Sequence, residues 1–129
     1  MILVDTSVWV QVFRRSRPID LEAVASFDEV VTCLPVIREV LQGFGQEAAF
    51  RTARTAMLAL PRVESPLPES LVLEAVALYR GARRTGLTIR SSVDCLVAAC
   101  ALRHDLEVLH HDRDYTALAE IAPLRQRRI

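Results

Sequence analysis

Lysine is absent from this 129-residue sequence, and all sixteen basic residues are arginine. A receiver domain needs a lysine near its acids, and a P-loop needs a lysine after a glycine-rich loop that is also missing, so both classes are excluded. There is no Gly-x-Ser-x-Gly segment, which excludes the nucleophile elbow of a serine hydrolase. No apolar run approaches the length of a membrane span. No basic stretch precedes the apolar run 2–4, so we expect no signal peptide and a cytoplasmic protein without membrane contact.

Cysteine is scarce too. Cys33, Cys95 and Cys100 form an odd set without metal-ligand spacing, so we expect buried, reduced thiols. Zinc would need these cysteines or the three histidines, and their placement is wrong for a tetrahedral site.

The formal net charge is zero, from sixteen basic and sixteen acidic residues. This balance argues against a protein that coats nucleic acid by charge alone. The use of arginine throughout is best explained by genome composition. The arginines are nevertheless clustered in the segments 14–17, 80–90 and 125–128, and clustered guanidinium groups favour contact with phosphate.

Buried strands and helices alternate along the chain, with no repeat, low-complexity segment or linker, so residues 1–129 are predicted to form a single domain. We predict strands at 2–5, 30–33, 62–64 and 107–109. Helices are predicted at 8–14, 21–27, 35–43, 47–60, 68–86, 92–102 and 115–121. Thr6 or Ser7, and Ser91 or Ser92, are expected to cap the helices that follow them. The alternation predicts an α/β fold in which helices cover both faces of a parallel sheet.

Five carboxylates, remote in sequence, lie at strand ends or early in helices: Asp5, Glu39, Asp94, Asp112 and Asp114. Each one alone has an ordinary explanation as a cap, a solvated helix residue or a turn residue. The carboxyl ends of parallel strands meet at one edge of a sheet, so we expect these acids to converge. Two carboxylates about 4 Å apart repel by roughly 4 kcal/mol at an effective dielectric of 20. Oxygen ligands alone suit Mg²⁺ or Mn²⁺, and such a site predicts phosphodiester hydrolysis.

The sequence resembles the PIN-domain ribonucleases, and specifically the VapC toxins of toxin–antitoxin pairs. The matching segments are ILVDTSVW at 2–9, VIREV at 36–40, SSVDCLVA at 91–98 and LHHDRDY at 109–115. They occur in the expected order and span nearly the whole chain. The resemblance implies a three-layer α/β/α PIN-like fold with a central parallel sheet of four to five strands.

The resemblance also implies roles for individual residues. It implies four catalytic, metal-binding acids: Asp5, Glu39, Asp94 and Asp112. It implies three auxiliary residues: Asp114, Ser7 and Thr6. Members of this family commonly carry Thr-Arg or Thr-x before the late aspartate, whereas His110-His111 precede Asp112 here, so the hydrogen bonding around Asp112 is expected to differ.

The implied function is that of a Mg²⁺-dependent (or Mn²⁺-dependent) endoribonuclease toxin that cleaves tRNA or another structured RNA. The implied partners are a cognate VapB-type antitoxin and a second copy of the chain, in a homodimer and a heterotetramer or larger complex. One alternative is a non-cleaving PIN-like module that binds RNA or protein. A DNA- or flap-cleaving phosphoesterase is less compatible with so short a chain.

Overall fold

The computed structural model describes residues 1–129, and its centre is a four-stranded, fully parallel sheet. The strands are β1 (Ile2–Val4), β2 (Val30–Val31), β3 (Glu107–His110) and β4 (Gln126–Arg128), in the spatial order β2-β1-β3-β4. β1 and β3 are the two central strands, and their side chains are almost completely buried, as expected for a sheet covered on both faces. The predicted α/β class and parallel sheet are confirmed.

Six α-helices surround the sheet: α1 (Thr6–Phe13), α2 (Leu34–Gln42), α3 (Glu47–Leu58), α4 (Glu69–Arg84), α5 (Ser92–Arg103) and α6 (Arg113–Leu118). The segment predicted as a helix at 21–27 instead forms two 3₁₀ turns, Leu21–Ala23 and Phe27–Glu29. The bounds of the other helices agree with the prediction to within a few residues. None of the helices is both long enough and apolar enough to span a membrane.

One predicted strand is wrong, and one strand was not predicted. The segment 62–64 forms only a single bridge, in which Arg62 pairs with Thr32. β4 was not predicted, because Gln126–Arg128 contains no apolar residue. It is held by its register with β3, by the ion pair of Arg127 with Glu107 (3.1 Å), and by a hydrogen bond from Arg127 to the Val24 carbonyl (3.0 Å).

The most deeply buried helix is α5, as its uncharged sequence predicts. Cys95 and every residue from 97 to 101 are buried, because α5 packs against α4 on one side and lies close to the sheet on the other. All three cysteines are buried free thiols. On α4 the spacing of apolar residues predicts a core-facing stripe of Leu71, Ala75, Leu78 and Ala82, with Val72, Val76 and Tyr79 beside it. This prediction is only partly correct: Leu71, Ala75 and Ala82 are buried, whereas Val72 and Val76 are exposed.

Candidate active site

The two central strands deliver two of the predicted acids to the same edge of the sheet. β1 and β3 run in register, with Val4 opposite Leu109, and the Asp5 amide donates to the Leu109 carbonyl at 2.9 Å. Asp5 follows β1 directly, and Asp112 comes two residues after β3 ends. Convergence at the carboxyl edge is therefore a consequence of the parallel topology.

Asp5 caps α1 and is itself fixed by Ser7. Its Oδ2 accepts hydrogen bonds from the Ser7 amide (2.9 Å) and from the Ser7 hydroxyl (2.6 Å). The Ser7 hydroxyl also accepts from the His111 amide at 2.9 Å, which ties the segment after β3 to the start of α1. The expectation that Thr6 or Ser7 caps this helix is wrong. Asp5 has the extended backbone of an N-cap residue, so its carboxylate reaches the free amide first.

Tyr115 joins two acids from different elements, and it was not among the sequence candidates. Its ring is completely buried on α6, and its hydroxyl lies 2.5 Å from Asp5 Oδ1 and 3.3 Å from Asp94 Oδ1. Burial, with the charges of Asp5 and Asp94 adding to it, raises the pKa of Tyr115 well above its ordinary value. The hydroxyl therefore stays protonated and donates to the carboxylates. A useful signal was available, because a tyrosine in buried sequence needs a partner for its hydroxyl.

Of the five acids, Asp94 is the one whose charged form is least stabilised by the surrounding protein. It lies in the first turn of α5, its side chain is buried, and its Oδ2 has no hydrogen-bond partner. Burial first, and the charge of Asp5 second, raise the pKa of Asp94 from 3.8 to about 9. An unpartnered carboxylate oxygen inside a protein is costly unless a cation or a proton occupies the space next to it.

Asp114 holds the start of α5 from another part of the chain. It is completely buried, and its carboxylate accepts from the amides of Arg90 (3.0 and 3.1 Å) and Ser91 (3.0 Å). The prediction that Ser91 or Ser92 caps α5 is correct in position only: Ser91 occupies the N-cap position, but its side chain makes no capping bond. The Asp114 carboxylate instead fixes the backbone just before the helix, at the amides of Arg90 and Ser91.

Three acids form one close group. Oxygen atoms of Asp94, Asp112 and Asp114 lie within 4.8 Å of one another. Asp112 is half-buried and caps α6, accepting from the Asp114 amide at 2.9 Å. Asp5 lies outside this group, although the Tyr115 hydroxyl joins it to Asp94.

Glu39 also lies outside the group of three. It is half-buried on α2, and its Oε1 accepts from the Thr6 hydroxyl at 3.0 Å. Partial burial raises the pKa of Glu39, the Thr6 hydrogen bond opposes that rise, and the charge of Asp5 adds to it. Thr6 therefore orients Glu39 rather than capping a helix.

The histidine pair has a structural role at the end of β3. His110 is buried, its Nδ1 accepts from the Asp112 amide at 3.1 Å, and its Nε2 lies 2.6 Å from Gln126 Oε1. Because Nδ1 accepts and an amide oxygen cannot donate, this ring is neutral and carries its proton on Nε2. The exposed His111 contacts the carbonyl of Ile129. The expected difference in hydrogen bonding around Asp112 is therefore a hydrogen bond from the Asp112 amide to the imidazole of His110.

The residues present fit a hard divalent cation. The close group offers only carboxylate oxygens, and one of these, Asp94 Oδ2, has no partner in the protein. Both nitrogens of His110 are occupied and the cysteines belong to the core, so the soft ligands that zinc prefers are not offered here. What the arrangement provides is a concentration of negative charge that a cation of the Mg²⁺ type would neutralise.

Comparison with known proteins agrees with this geometry. The family model for the PIN domain matches residues 2–121. Ribonuclease VapC11 of Mycobacterium tuberculosis is 34% identical to the chain over 131 aligned residues, covering 97% of this chain and 96% of the relative.

Solved structures with the same fold include VapBC-5 from Mycobacterium tuberculosis, a member of the VapBC family of toxin–antitoxin systems. It superposes with a TM-score of 0.73 at 22% identity, and the match covers 98% of this chain and 97% of that one. VapBC-1 from nontypeable Haemophilus influenzae superposes equally well (TM-score 0.74, 17% identity, covering 99% and 98%). The predicted PIN-like architecture is thereby confirmed, and the chain belongs to the PIN-domain family, in which its relatives are the VapC ribonucleases.

Proposed function

We propose that the protein is a Mg²⁺-dependent endoribonuclease toxin whose catalytic acids are Asp5, Glu39, Asp94 and Asp112. The observation that carries the proposal is the buried, unpartnered Oδ2 of Asp94, which lies in a side chain grouped with two further carboxylates. The curated relatives that span almost the whole chain are named as ribonucleases, which supports RNA as the substrate.

Asp94 and Asp112 are the acids that we propose to hold Mg²⁺ or Mn²⁺, with Asp5 and Glu39 completing the site. When bound, such an ion supplies polarisation of the scissile phosphate and a lower pKa for a water molecule. Asp114 is a positioning residue, because its oxygens already accept from two backbone amides at the start of α5. It keeps the helix that carries Asp94 in place.

The hydrogen bonds of the chain prepare these acids for their task. Ser7 and Tyr115 fix the two oxygens of Asp5 from opposite sides, so this carboxylate has one orientation. Glu39 is held by Thr6, remains partly accessible to solvent and has a raised pKa. These properties suit a general base that accepts the proton of the attacking water.

The partners follow from the same family. The solved structures of the same fold include toxin–antitoxin complexes, which supports a VapB-type antitoxin as the partner of this chain. We propose a homodimer that joins the antitoxin in a heterotetramer or larger complex, in which the antitoxin inhibits cleavage. The apolar side chains left exposed on α4, Val72, Leu73 and Val76, offer surface for such contacts. The RNA is proposed to be tRNA or another structured RNA.

The experiment compares RNA cleavage by the parent protein with cleavage by Asp94→Asn and Asp5→Asn. Both substitutions keep the shape of the side chain but remove its charge, so we expect no cleavage while the circular dichroism spectrum stays unchanged. Glu120→Gln, at an exposed acid with no side-chain contacts, is the matched control and should cut at the parent rate. Total tRNA, ribosomal RNA and DNA of the same sequence are incubated with Mg²⁺, Mn²⁺ or EDTA.

Cleavage by Asp94→Asn at the parent rate would show that the assigned site is wrong. Equal cleavage of RNA and DNA would favour a general phosphoesterase instead. Binding of RNA without cleavage at any concentration of metal would favour the non-cleaving module.

A further inference from the structure

Three arginines at the C-terminal end of α4 form a basic surface without any acidic partner. Arg80, Arg83 and Arg84 are exposed, and they alone line a surface concavity of about 200 Å³. None of the three side chains makes a hydrogen bond or an ion pair within the protein. We call these three residues the arginine corner.

Several other arginines of the chain form ion pairs with acidic side chains. Arg103 lies 2.8 Å from Glu74 and 3.4 Å from Glu64, and Arg125 lies 3.1 Å from Asp105. In the C-terminal cluster at 125–128, therefore, much of the positive charge serves the fold. The arginine corner differs from these paired arginines, because its three side chains share one concavity and have no acidic partner.

The helix explains only part of this arrangement. Arg83 and Arg84 lie in the last turn of α4, where the helix dipole favours cations. Arg80 lies one turn earlier, at the i,i+3 and i,i+4 spacings from the other two. Like charges at these spacings destabilise a helix by roughly 0.2–0.5 kcal/mol per pair. An anionic ligand in the shared concavity would turn this unfavourable grouping into a favourable one.

The arginine corner is connected to the acidic site by a short stretch of chain. The segment 85–91 leads from the end of α4 to the amides of Arg90 and Ser91, which Asp114 holds. Gly81 of α4 lies next to Ile121, which follows α6, and α6 begins directly after Asp112. Asp112 and Ile121 lie at opposite ends of α6, so this helix joins the two regions.

We propose that the arginine corner binds the sugar–phosphate backbone of the RNA substrate to one side of the cleavage site, an inference that rests on the function proposed above. Guanidinium groups pair with phosphate oxygens in a two-pronged geometry, which suits a surface built from arginine alone. No aromatic side chain lines the concavity, so it has no platform on which a base could stack. The contact therefore adds affinity and orientation without reading sequence. The exposed Arg90 and Arg113 continue the positive charge towards the acids.

The test measures RNA binding rather than cleavage. Arg80→Gln, Arg83→Gln and Arg84→Gln are combined in the Asp94→Asn protein, and binding of a fluorescein-labelled 20-nucleotide RNA is followed by anisotropy from low to high salt. The control combines Arg51→Gln, Arg54→Gln and Arg62→Gln, which removes the same charge from exposed positions on and after α3. Thermal melting confirms that both variants are folded, because surface changes of this kind have small effects on stability.

At moderate salt we expect the corner variant to bind RNA about 10- to 100-fold more weakly than the Asp94→Asn protein from which it is made. The control variant should bind within a few-fold of that same protein. The slope of log K against log salt should fall in magnitude by about 2, since three phosphate contacts to a single strand contribute about 0.7 each. Equal losses in the two variants would overturn the proposal, because only net charge would then matter. Polyglutamate that competes as well as unlabelled RNA would overturn it in favour of an acidic protein partner.

The two proposals fail separately. If the parent cuts no RNA but the corner variant still loses RNA affinity, the catalytic function is wrong and the corner remains a backbone-binding surface. If the parent cuts RNA and the corner variant binds like the parent, only the arginine corner is wrong.

Discussion

Replacing Asp94 by asparagine should stabilise the protein when no metal is present. The folded protein raises the pKa of Asp94 from 3.8 to about 9, mainly by burial. The carboxyl of the unfolded chain loses its proton near pH 3.8, whereas that of the folded protein keeps it, so stability is greatest below that pH and falls as the pH rises towards 9. One pKa unit corresponds to about 1.36 kcal/mol, so the penalty at about pH 7.5 is at most about 5 kcal/mol.

Asparagine removes this penalty because it is neutral at every pH in the range. Some of the gain is lost, since the amide must still find partners, and we expect Asp94→Asn to be about 2 kcal/mol more stable than the parent in EDTA near pH 7.5. In thermal denaturation this corresponds to a melting temperature higher by roughly 5–10 °C. Between pH 5 and 9 the parent should lose stability steadily, and the variant should show a much flatter dependence.

Adding Mg²⁺ should reverse the order. A ligand that binds only the folded state stabilises it by about 2.7 kcal/mol at one hundred times its dissociation constant, so the parent should gain stability and Asp94→Asn should gain little. Glu120→Gln, which changes an exposed acid, should follow the parent in both buffers. If Asp94→Asn melts below the parent in EDTA and shows the same pH dependence, then the raised pKa of Asp94 does not control the stability of the metal-free protein.

Two further substitutions test contacts around the site and in α4. Tyr115→Phe keeps the packing but removes the hydroxyl that donates to Asp5 and Asp94. The free energy of unfolding, measured in urea near pH 7.5 without metal, should therefore fall by about 1.5–3 kcal/mol. Parent-like stability would contradict the shared hydrogen bond. Gly81→Ala should raise the melting temperature, because alanine stabilises a helix by about 0.5–1 kcal/mol relative to glycine. The added Cβ would lie 3.5 Å from Ile121 Cδ1, which is an ordinary van der Waals contact. A lower melting temperature would show that this contact is too tight.

The central part of the fold was predictable because its sequence signals are strong and local. The apolar runs at β1 and β3 each end near an acid, and parallel strands must bring such ends together. The uncharged sequence from 95 to 102 could belong only to a helix that is buried on nearly every side. These features could be predicted from the pattern of apolar residues, because that pattern shows which side chains must be buried.

The features that were missed depend on contacts between distant residues. Gln126 to Arg128 has no apolar residue, so β4 depends on pairing with the neighbouring strand and on the contacts of Arg127 with Glu107 and the Val24 carbonyl. The hydrogen bonds from the Arg90 and Ser91 amides to Asp114 span more than twenty residues, so no local motif could reveal them. Serine at the start of a helix is an effective cap in general, but the Ser91 side chain makes no capping bond here.

The acids of the site are kept together largely by the starts of three helices. Asp5 precedes α1, Asp112 precedes α6, and Asp94 lies in the first turn of α5, so the positive ends of three helix dipoles face the same region. Asp5, Asp112 and Asp114 each accept at least one hydrogen bond from a backbone amide at a helix start, which offsets part of their mutual repulsion. Asp94 accepts none, and the hydroxyl of Tyr115 reaches only one of its oxygens. The cost of ionising a buried acid is therefore concentrated on Asp94, and this is why one substitution at that position should both remove that cost in the metal-free protein and abolish the response to metal.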